Sequence, residues 1–177
     1  MAQSVVIENN RPTYAYRAAD ITPAALATEV LTLVGANGKC IRITKVGVSG
    51  SATAASILDL YIRKKTTLST GGTSTVQTAT KYDSLDPNPA GTLLLYSANP
   101  SALGTGSSLE GDKIYLPAQA SPAGEPTHWM ADWAGVSAES PILRNANESI
   151  SISFAGQTIP TGTSLYMYIE WTEEAGV

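Results

Sequence analysis

The chain has few of the residues from which most catalytic and metal sites are built. Its 177 residues include one histidine, His128, and one cysteine, Cys40. A single cysteine cannot form a disulfide within the chain, and a single histidine excludes mechanisms that need two. Zinc sites draw on clusters of Cys and His that this chain lacks. The composition therefore predicts no catalytic centre, no metal site and no cofactor.

Charge and long apolar runs are also scarce. Charged residues make up 15% of the chain, against ~25% in an average soluble domain, and the net charge is −4. No basic patch is visible, so we expect no direct nucleic-acid binding. No segment approaches the ~20 apolar residues of a membrane helix, so we expect no membrane association. The first residues lack the pattern of a secretory signal, so we expect folding in a reducing cytoplasm.

Small polar and β-forming residues are abundant instead. Thr and Ser together supply 38 of the 177 residues, and 43% of the chain is hydrophobic. That hydrophobic share is enough for one domain with a sizeable core. Short runs of Val, Ile, Thr and Tyr are separated by clusters of Gly, Pro, Asn and Ser, which is the pattern of strands and turns. The sequence predicts an all-β protein, an antiparallel β-sandwich of jelly-roll-like type with eight or nine strands.

Alternation of period two predicts which side chains form the core. It is clearest in residues 56–64, 149–154 and 164–171. The predicted inward side chains are Leu58, Leu60, Ile62, Ile150, Ile152, Leu165, Met167 and Ile169. The serines of 149–154 are expected to point outward. In residues 39–49, strict alternation groups Val46 and Val48 on one face and puts Ile41 and Ile43 on the other.

The first 17 residues are predicted to form an extended N-terminal arm ahead of a single domain over residues 18–177. An extended apolar arm can add a strand to a neighbouring sheet, so the arm is the preferred interface. Exposed tryptophans also anchor protein or sugar partners. The candidate interface residues are Val5, Val6, Ile7, Tyr14, Tyr16, Trp129 and Trp133.

Three other features have a structural and a chemical interpretation. Residues 66–91 are rich in Thr, Ser, Gly, Asp and Pro and are predicted to be a long excursion. Within it, Asp83, Asp86 and Asn88 offer oxygen ligands for Ca²⁺, but turn chemistry explains them better. Cys40 is expected to be a small buried hydrophobe, and His128 a structural residue.

Residues 63–105 carry the most specific pattern. A basic strand end is followed by GGTST (71–75), the turn DSLDPNPA (83–90), an apolar strand and the run YSANPSALG (96–104). Further on come PILR (141–144) and EWTE (170–173). In this order and over residues 28–174, the chain resembles a family of virion proteins from tailed bacteriophages. None of these motifs is catalytic, so the resemblance implies a role and not a mechanism.

The resemblance implies a β-sandwich component of the virus particle. We expect a head decoration, or cement, protein that binds the major capsid protein and stabilises the shell from the capsid exterior, after a period in the host cytoplasm. Self-association is expected, as a trimer or alternatively a dimer, because repeated attachment strengthens weak contacts. The alternative is a tail protein or a receptor- or carbohydrate-binding sandwich that uses Trp129, Trp133, Tyr82 and Asp83. A hydrolase that depends on His128 is the least favoured hypothesis.

Overall fold

The computed structural model of the chain describes residues 11–119, 128–134 and 140–176. These residues form twelve β-strands and no helix. The strands are β1 (Thr13–Ile21), β2 (Leu31–Val34), β3 (Lys39–Ser51), β4 (Ser56–Lys65), β5 (Thr73–Gln77), β6 (Thr80–Lys81), β7 (Thr92–Ala98), β8 (Gly106–Leu116), β9 (Trp129–Asp132), β10 (Ile142–Leu143), β11 (Ser149–Ser153) and β12 (Ser164–Ala175). In the described ranges no helix is long and apolar enough to cross a membrane.

The strands form two antiparallel sheets that pack face to face. Sheet A has the order β10-β3-β12-β1-β6, with β9 also paired to β3, and sheet B has the order β5-β7-β2-β11-β4-β8. The chain crosses between the sheets repeatedly, for example from β1 to β2, from β2 to β3 and from β3 to β4. Most hydrogen-bonded neighbours are therefore distant in sequence. The predicted all-β sandwich is confirmed.

The core lies between the two sheets and matches the alternation. All eight side chains predicted to point inward are at most 2% exposed. Trp171 and Phe154 are fully buried beside them. The prediction that the serines of β11 reach solvent is wrong, because Ser149, Ser151 and Ser153 are also buried. The reason is that β11 lies between β2 and β4 in sheet B, where neighbouring strands flank its small side chains.

A β-bulge changes the faces predicted for β3. Glu170 of β12 pairs with Lys45 and Trp171 pairs with Ile43, which leaves Thr44 as the extra residue. One extra residue shifts the alternation by one position. Ile41 and Ile43, before the bulge, and Val46 and Val48, after it, therefore all face the core. The strict alternation expected would have put the two pairs on opposite faces.

The predicted arm ends earlier than residue 17. Residues 13–17 belong to β1, which pairs with β12 over most of its length, from Thr13 opposite Thr172 to Ile21 opposite Leu165. Tyr14 is fully buried and packs on Trp171, with 5.7 Å between the ring centroids. Burial of Tyr14 and hydrogen bonding to β12 make this segment part of the sheet. Residues 1–10, including Val5, Val6 and Ile7, lie outside the described residues.

The excursion over residues 66–91 contains two short strands, β5 and β6. Its last part is fastened to sheet A by buried groups. The Glu173 carboxylate accepts hydrogen bonds from the backbone N–H groups of Ala90 (2.9 Å) and Gly91 (3.0 Å). The Tyr14 hydroxyl donates to the Pro87 carbonyl (2.9 Å). β6 itself pairs with β1 at the edge of sheet A, and the backbone N–H of the next residue, Tyr82, donates to the Thr13 carbonyl (3.0 Å), which places Tyr82 beside the outer face of that sheet.

Candidate functional site

The outer face of sheet A carries a group of polar and aromatic side chains that lie close together. One cross-strand row runs from Met130 through Gly47 and Tyr168 to Arg17. The next row contains Asp132, Lys45 and Glu170, so opposite charges alternate across three strands. Such cross-strand pairs favour strand pairing and fix side-chain positions.

Glu170 is the centre of a hydrogen-bond network on this face. Its Oε1 accepts a hydrogen bond from the Thr44 hydroxyl at 2.7 Å, and Thr44 is the bulge residue of β3. Its Oε2 accepts hydrogen bonds from the hydroxyl groups of Tyr82 at 2.6 Å and of Tyr168. Only 9% of Glu170 is exposed, and three hydroxyl donors replace the water it loses.

Both acidic groups of this network have shifted pKa values. Burial by itself raises the pKa of Glu170, but the hydrogen bonds from Tyr168, Tyr82 and Thr44 outweigh burial and hold that pKa below its usual value. Burial raises the pKa of Tyr168 strongly, and its hydrogen bond to Glu170 adds to the rise. At neutral pH Glu170 is therefore a carboxylate and Tyr168 is neutral.

Arg17 completes this face from β1. Its guanidinium carbon lies 4.7 Å from the centre of the Tyr168 ring, a distance at which cations are attracted to aromatic faces. Arg17 is exposed. Its planar guanidinium group is thus oriented by an aromatic ring while its N–H groups remain accessible to a ligand.

A second candidate surface lies on sheet B. β8 is an edge strand of eleven residues, exposed over most of its length and paired on one side only, with β4. Ile57 of β4 is 61% exposed and lies opposite Tyr115 of β8, which is 42% exposed. We call this pair of strands the β4–β8 ribbon. Exposed edges with apolar side chains are sites where other chains attach.

The structure does not bring the predicted interface residues together. Tyr14 is in the core, and Tyr16 is half-buried with its hydroxyl donating to the Gln77 side chain at 2.8 Å. Trp129 and Trp133 are partly buried against the core. Trp129 pairs with β3 at one edge of sheet A, whereas Tyr82 follows β6 at the other edge. The predicted sugar site that combines both tryptophans with Tyr82 and Asp83 is therefore not assembled.

The remaining predicted residues are placed as follows. Cys40 is buried, as expected, and burial raises the pKa of its thiol. Asp83 accepts a hydrogen bond from the Leu85 backbone N–H at 2.9 Å, so the predicted Asx-turn is confirmed. His128 directly precedes β9, its Nε2 lies 3.8 Å from the position that a Cβ on Gly47 would occupy, and its side chain is exposed. Among residues 11–119, 128–134 and 140–176, no group of three potential metal ligands is present.

Sequence reasoning missed Glu170 and Arg17. The available signal was weak: Tyr166, Tyr168 and Glu170 alternate with the core residues of β12, which indicates only that they share the opposite face. Arg17 joins them through the pairing of β1 with β12, and Tyr82 through the pairing of β6 with β1. Neither contact can be read from local spacing.

Comparison with protein-family models, with curated proteins and with solved structures gives no match for this chain.

Proposed function

We propose that the chain is a head decoration protein of a tailed bacteriophage, which binds across subunits of the major capsid protein on the capsid exterior and stabilises the shell. The resemblance of residues 63–105 supports this proposal. The observation that carries the attachment surface is the exposed β4–β8 ribbon. The role is adhesion, so it requires surface complementarity and no reaction.

The residues of the resemblance have structural tasks in this fold. Asn99 of the run YSANPSALG accepts a hydrogen bond from the Thr28 backbone N–H (3.0 Å) and donates to the carbonyl groups of Ala25 (3.1 Å) and Leu26 (3.0 Å). Gly72 of GGTST has a φ of +76°, and a Cβ there would lie 2.6 Å from the Asn99 carbonyl oxygen. The two motifs pack against each other, which explains why they occur together and supports a shared fold.

The β4–β8 ribbon fits an attachment surface for two physical reasons. Its free edge exposes backbone hydrogen-bonding groups, and Ile57 and Tyr115 add apolar area beside them. Burying apolar area yields roughly 25 cal/mol per Å² before the costs of association are subtracted. A modest surface is sufficient when a symmetric shell and a trimeric, or dimeric, decoration protein multiply the contacts.

Two variants test the ribbon on purified particles. We expect Ile57→Ser combined with Tyr115→Ser to reduce the copies bound per particle, because the apolar contact is lost while the core is untouched. Leu85→Ser is the matched control, since Leu85 is 91% exposed on a loop far along the chain from the ribbon. The readouts are particle occupancy by quantitative gel analysis and the melting temperature of each free protein.

Cryo-electron microscopy of particles that carry the tagged chain tests the role itself. We expect density for the chain at regular positions on the outside of the head. Absence of the chain from purified particles, or density confined to the tail, would contradict the proposal. Full occupancy by the ribbon double variant would show that another surface makes the contact.

A further inference from the structure

Lys65 and Glu29 form a buried pair beside sheet B. The Lys65 side chain is 1% exposed, the Glu29 side chain is fully buried, and the Lys65 Nζ contacts the Glu29 Oε1 directly. Lys65 ends β4 and Glu29 lies two residues before β2, while β11 separates these two strands in the sheet. The contact therefore joins two segments of the chain that are not hydrogen-bonded neighbours.

A two-stranded connection shields this pair from solvent. Residues 66–70 pair with residues 102–105 and lead from β4 and β8 at one edge of sheet B to β5 and β7 at the other edge. Ser69, within the connection, contacts both members of the pair. Exclusion of water strengthens polar interactions at such a place and protects a reaction there from competing hydrolysis.

The Ser69 hydroxyl is placed between the amine and the carboxylate. It accepts a hydrogen bond from the Lys65 Nζ at 2.9 Å and donates one to the Glu29 Oε1 at 3.1 Å. The Gly104 backbone N–H donates to the same hydroxyl oxygen at 3.0 Å, which fixes its orientation. A hydroxyl that accepts from an amine and donates to a carboxyl oxygen can pass a proton from the first to the second.

The ionised form of this pair is costly where it lies. Two charges lose their hydration, and the second carboxylate oxygen of Glu29, Oε2, has no hydrogen-bond partner among the described residues. Burial lowers the pKa of Lys65 from 10.5 to about 8, so the neutral and nucleophilic amine is easier to reach. An amide between the two side chains carries no charge, so its formation removes the cost of burying two ions.

From this geometry we infer that Lys65 and Glu29 condense to form an isopeptide bond within the chain. One proton passes from the Lys65 Nζ to the Glu29 Oε1, which gives a neutral amine and a carboxylic acid. The Nζ lone pair then attacks the Glu29 Cδ, and Ser69 relays a second Nζ proton to Oε1. The Cδ–Oε1 bond breaks, one water molecule leaves, and Nζ keeps one hydrogen, so the step consumes no oxidant or reductant. Holding the reacting groups in contact makes the step effectively unimolecular.

The bond closes a covalent loop over residues 29–65, which contains β2, β3 and most of β4. A covalent cross-link stabilises a fold chiefly by restricting the unfolded chain. The chain has one cysteine and cannot obtain this restriction from an internal disulfide. The inference concerns the strength of the fold, and it does not depend on the attachment surface proposed for the β4–β8 ribbon.

Mass spectrometry of the denatured full chain tests the bond. We expect an intact mass lower than that of the sequence by one water molecule, and a tryptic digest with a branched peptide in which Lys65 is joined to Glu29. Lys65→Arg keeps the positive charge but removes the amine, so its mass should show no such loss. Ser69→Ala should leave a larger uncross-linked fraction in freshly purified protein, and Ser69→Thr, which retains a hydroxyl, should restore the cross-link.

The matched control is Lys113→Arg, because Lys113 and Asp59 form an ion pair whose side chains are 70% and 41% exposed, where water competes. This variant should lose one water molecule as the wild type does, and Lys113 and Asp59 should appear in unlinked peptides. A wild-type mass without the loss, a loss located at other residues, or the same loss in Lys65→Arg would overturn the inference. Complete cross-linking of freshly purified Ser69→Ala would overturn the relay through Ser69.

Discussion

At the scale of single residues, several of the polar groups buried in this protein are paired with particular partners. Lys65 and Glu29 are at most 2% exposed and form an ion pair, and Ser69 bridges them, accepting a hydrogen bond from Lys65 at 2.9 Å and donating to Glu29 at 3.1 Å. Burial lowers the pKa of Lys65. Tyr14 and Glu173 are paired in the same way with backbone groups of the loop before β7. Each such partnership makes stability sensitive to a single substitution.

The ionisation of Tyr14 should lower the stability of the protein at alkaline pH. Burial, with smaller effects of the charges on Glu173 and Asp86, raises the pKa of Tyr14 to about 12. In the unfolded chain a tyrosine has a pKa of ~10, so the unfolded state loses this proton first. We expect the contribution of Tyr14 to be complete below pH 10 and to be lost as the pH rises to 12, by up to about 3 kcal/mol.

Urea unfolding at several pH values from 9 to 12 measures this loss. Tyr14→Phe should be less stable at pH 9, because the hydrogen bond to Pro87 is gone, but its stability should fall less steeply between pH 10 and 12. Tyr115→Phe, which removes an exposed hydroxyl, is the control and should follow the wild type. Identical slopes for the wild type and Tyr14→Phe would show that Tyr14 ionises as it does in the unfolded chain.

At the scale of elements, the β-bulge in β3 determines what the outer face of sheet A can do. It allows Ile43 and Val46 to face the core although they are three residues apart. It also turns Thr44 toward Glu170, where the Thr44 hydroxyl binds the carboxylate. The bulge thus serves the core and the Glu170 network together, in agreement with the frequent role of bulges in redirecting side chains.

Deletion of single residues in β3 tests the bulge. Deleting Thr44 removes the extra residue, so the inward positions of Ile41, Ile43, Val46 and Val48 are retained and the protein should fold with reduced stability. Deleting Arg42 instead puts Ile41 and Ile43 on opposite faces, because a shift of one residue exchanges the faces of a strand. We expect only the second variant to lose its cooperative thermal transition in near-UV circular dichroism. Equal loss in both variants would contradict the assignment of Thr44.

At the scale of the whole molecule, the two sheets are joined by the core and by polar contacts, among them those of one buried carboxylate. Glu173 lies on β12 of sheet A and accepts hydrogen bonds from Ala90 and Gly91, which lead into β7 of sheet B. It also accepts a hydrogen bond from the Trp171 indole N–H at 3.0 Å. Three N–H donors that would otherwise be poorly hydrated are thus satisfied by one side chain.

Glu173→Gln should destabilise the protein by about 1–3 kcal/mol, because the amide has one acceptor oxygen and its NH₂ group faces a backbone donor. Glu174→Gln is the control, since the neighbouring Glu174 side chain is 31% exposed and its partners Arg11 and Arg42 are near the surface. Chemical denaturation measures both variants. A cost for Glu174→Gln as large as that for Glu173→Gln would show that a general loss of charge, and not the link between sheets, is responsible.

Part of the site was open to prediction and part was not. The turn at Asp83 and the burial of Cys40 follow from local chemistry, and the structure confirms both. Tyr14 was expected at an interface, yet it lies in the core because β1 pairs with β12, about 150 residues away in the chain. The contact of Tyr82 with Glu170 likewise depends on β6 pairing with β1, and no local pattern reports such a contact.

By itself, the sequence determined the class of fold and the inward faces of β4, β11 and β12, because alternation with a period of two is a local property that burial enforces along each strand. Only the tertiary structure decided the bulge at Thr44, the end of the arm, and the meeting of Arg17, Tyr82, Tyr168 and Glu170. Those features arise from pairing between strands far apart in the chain, where the partner and its register are selected by the packing of the whole core.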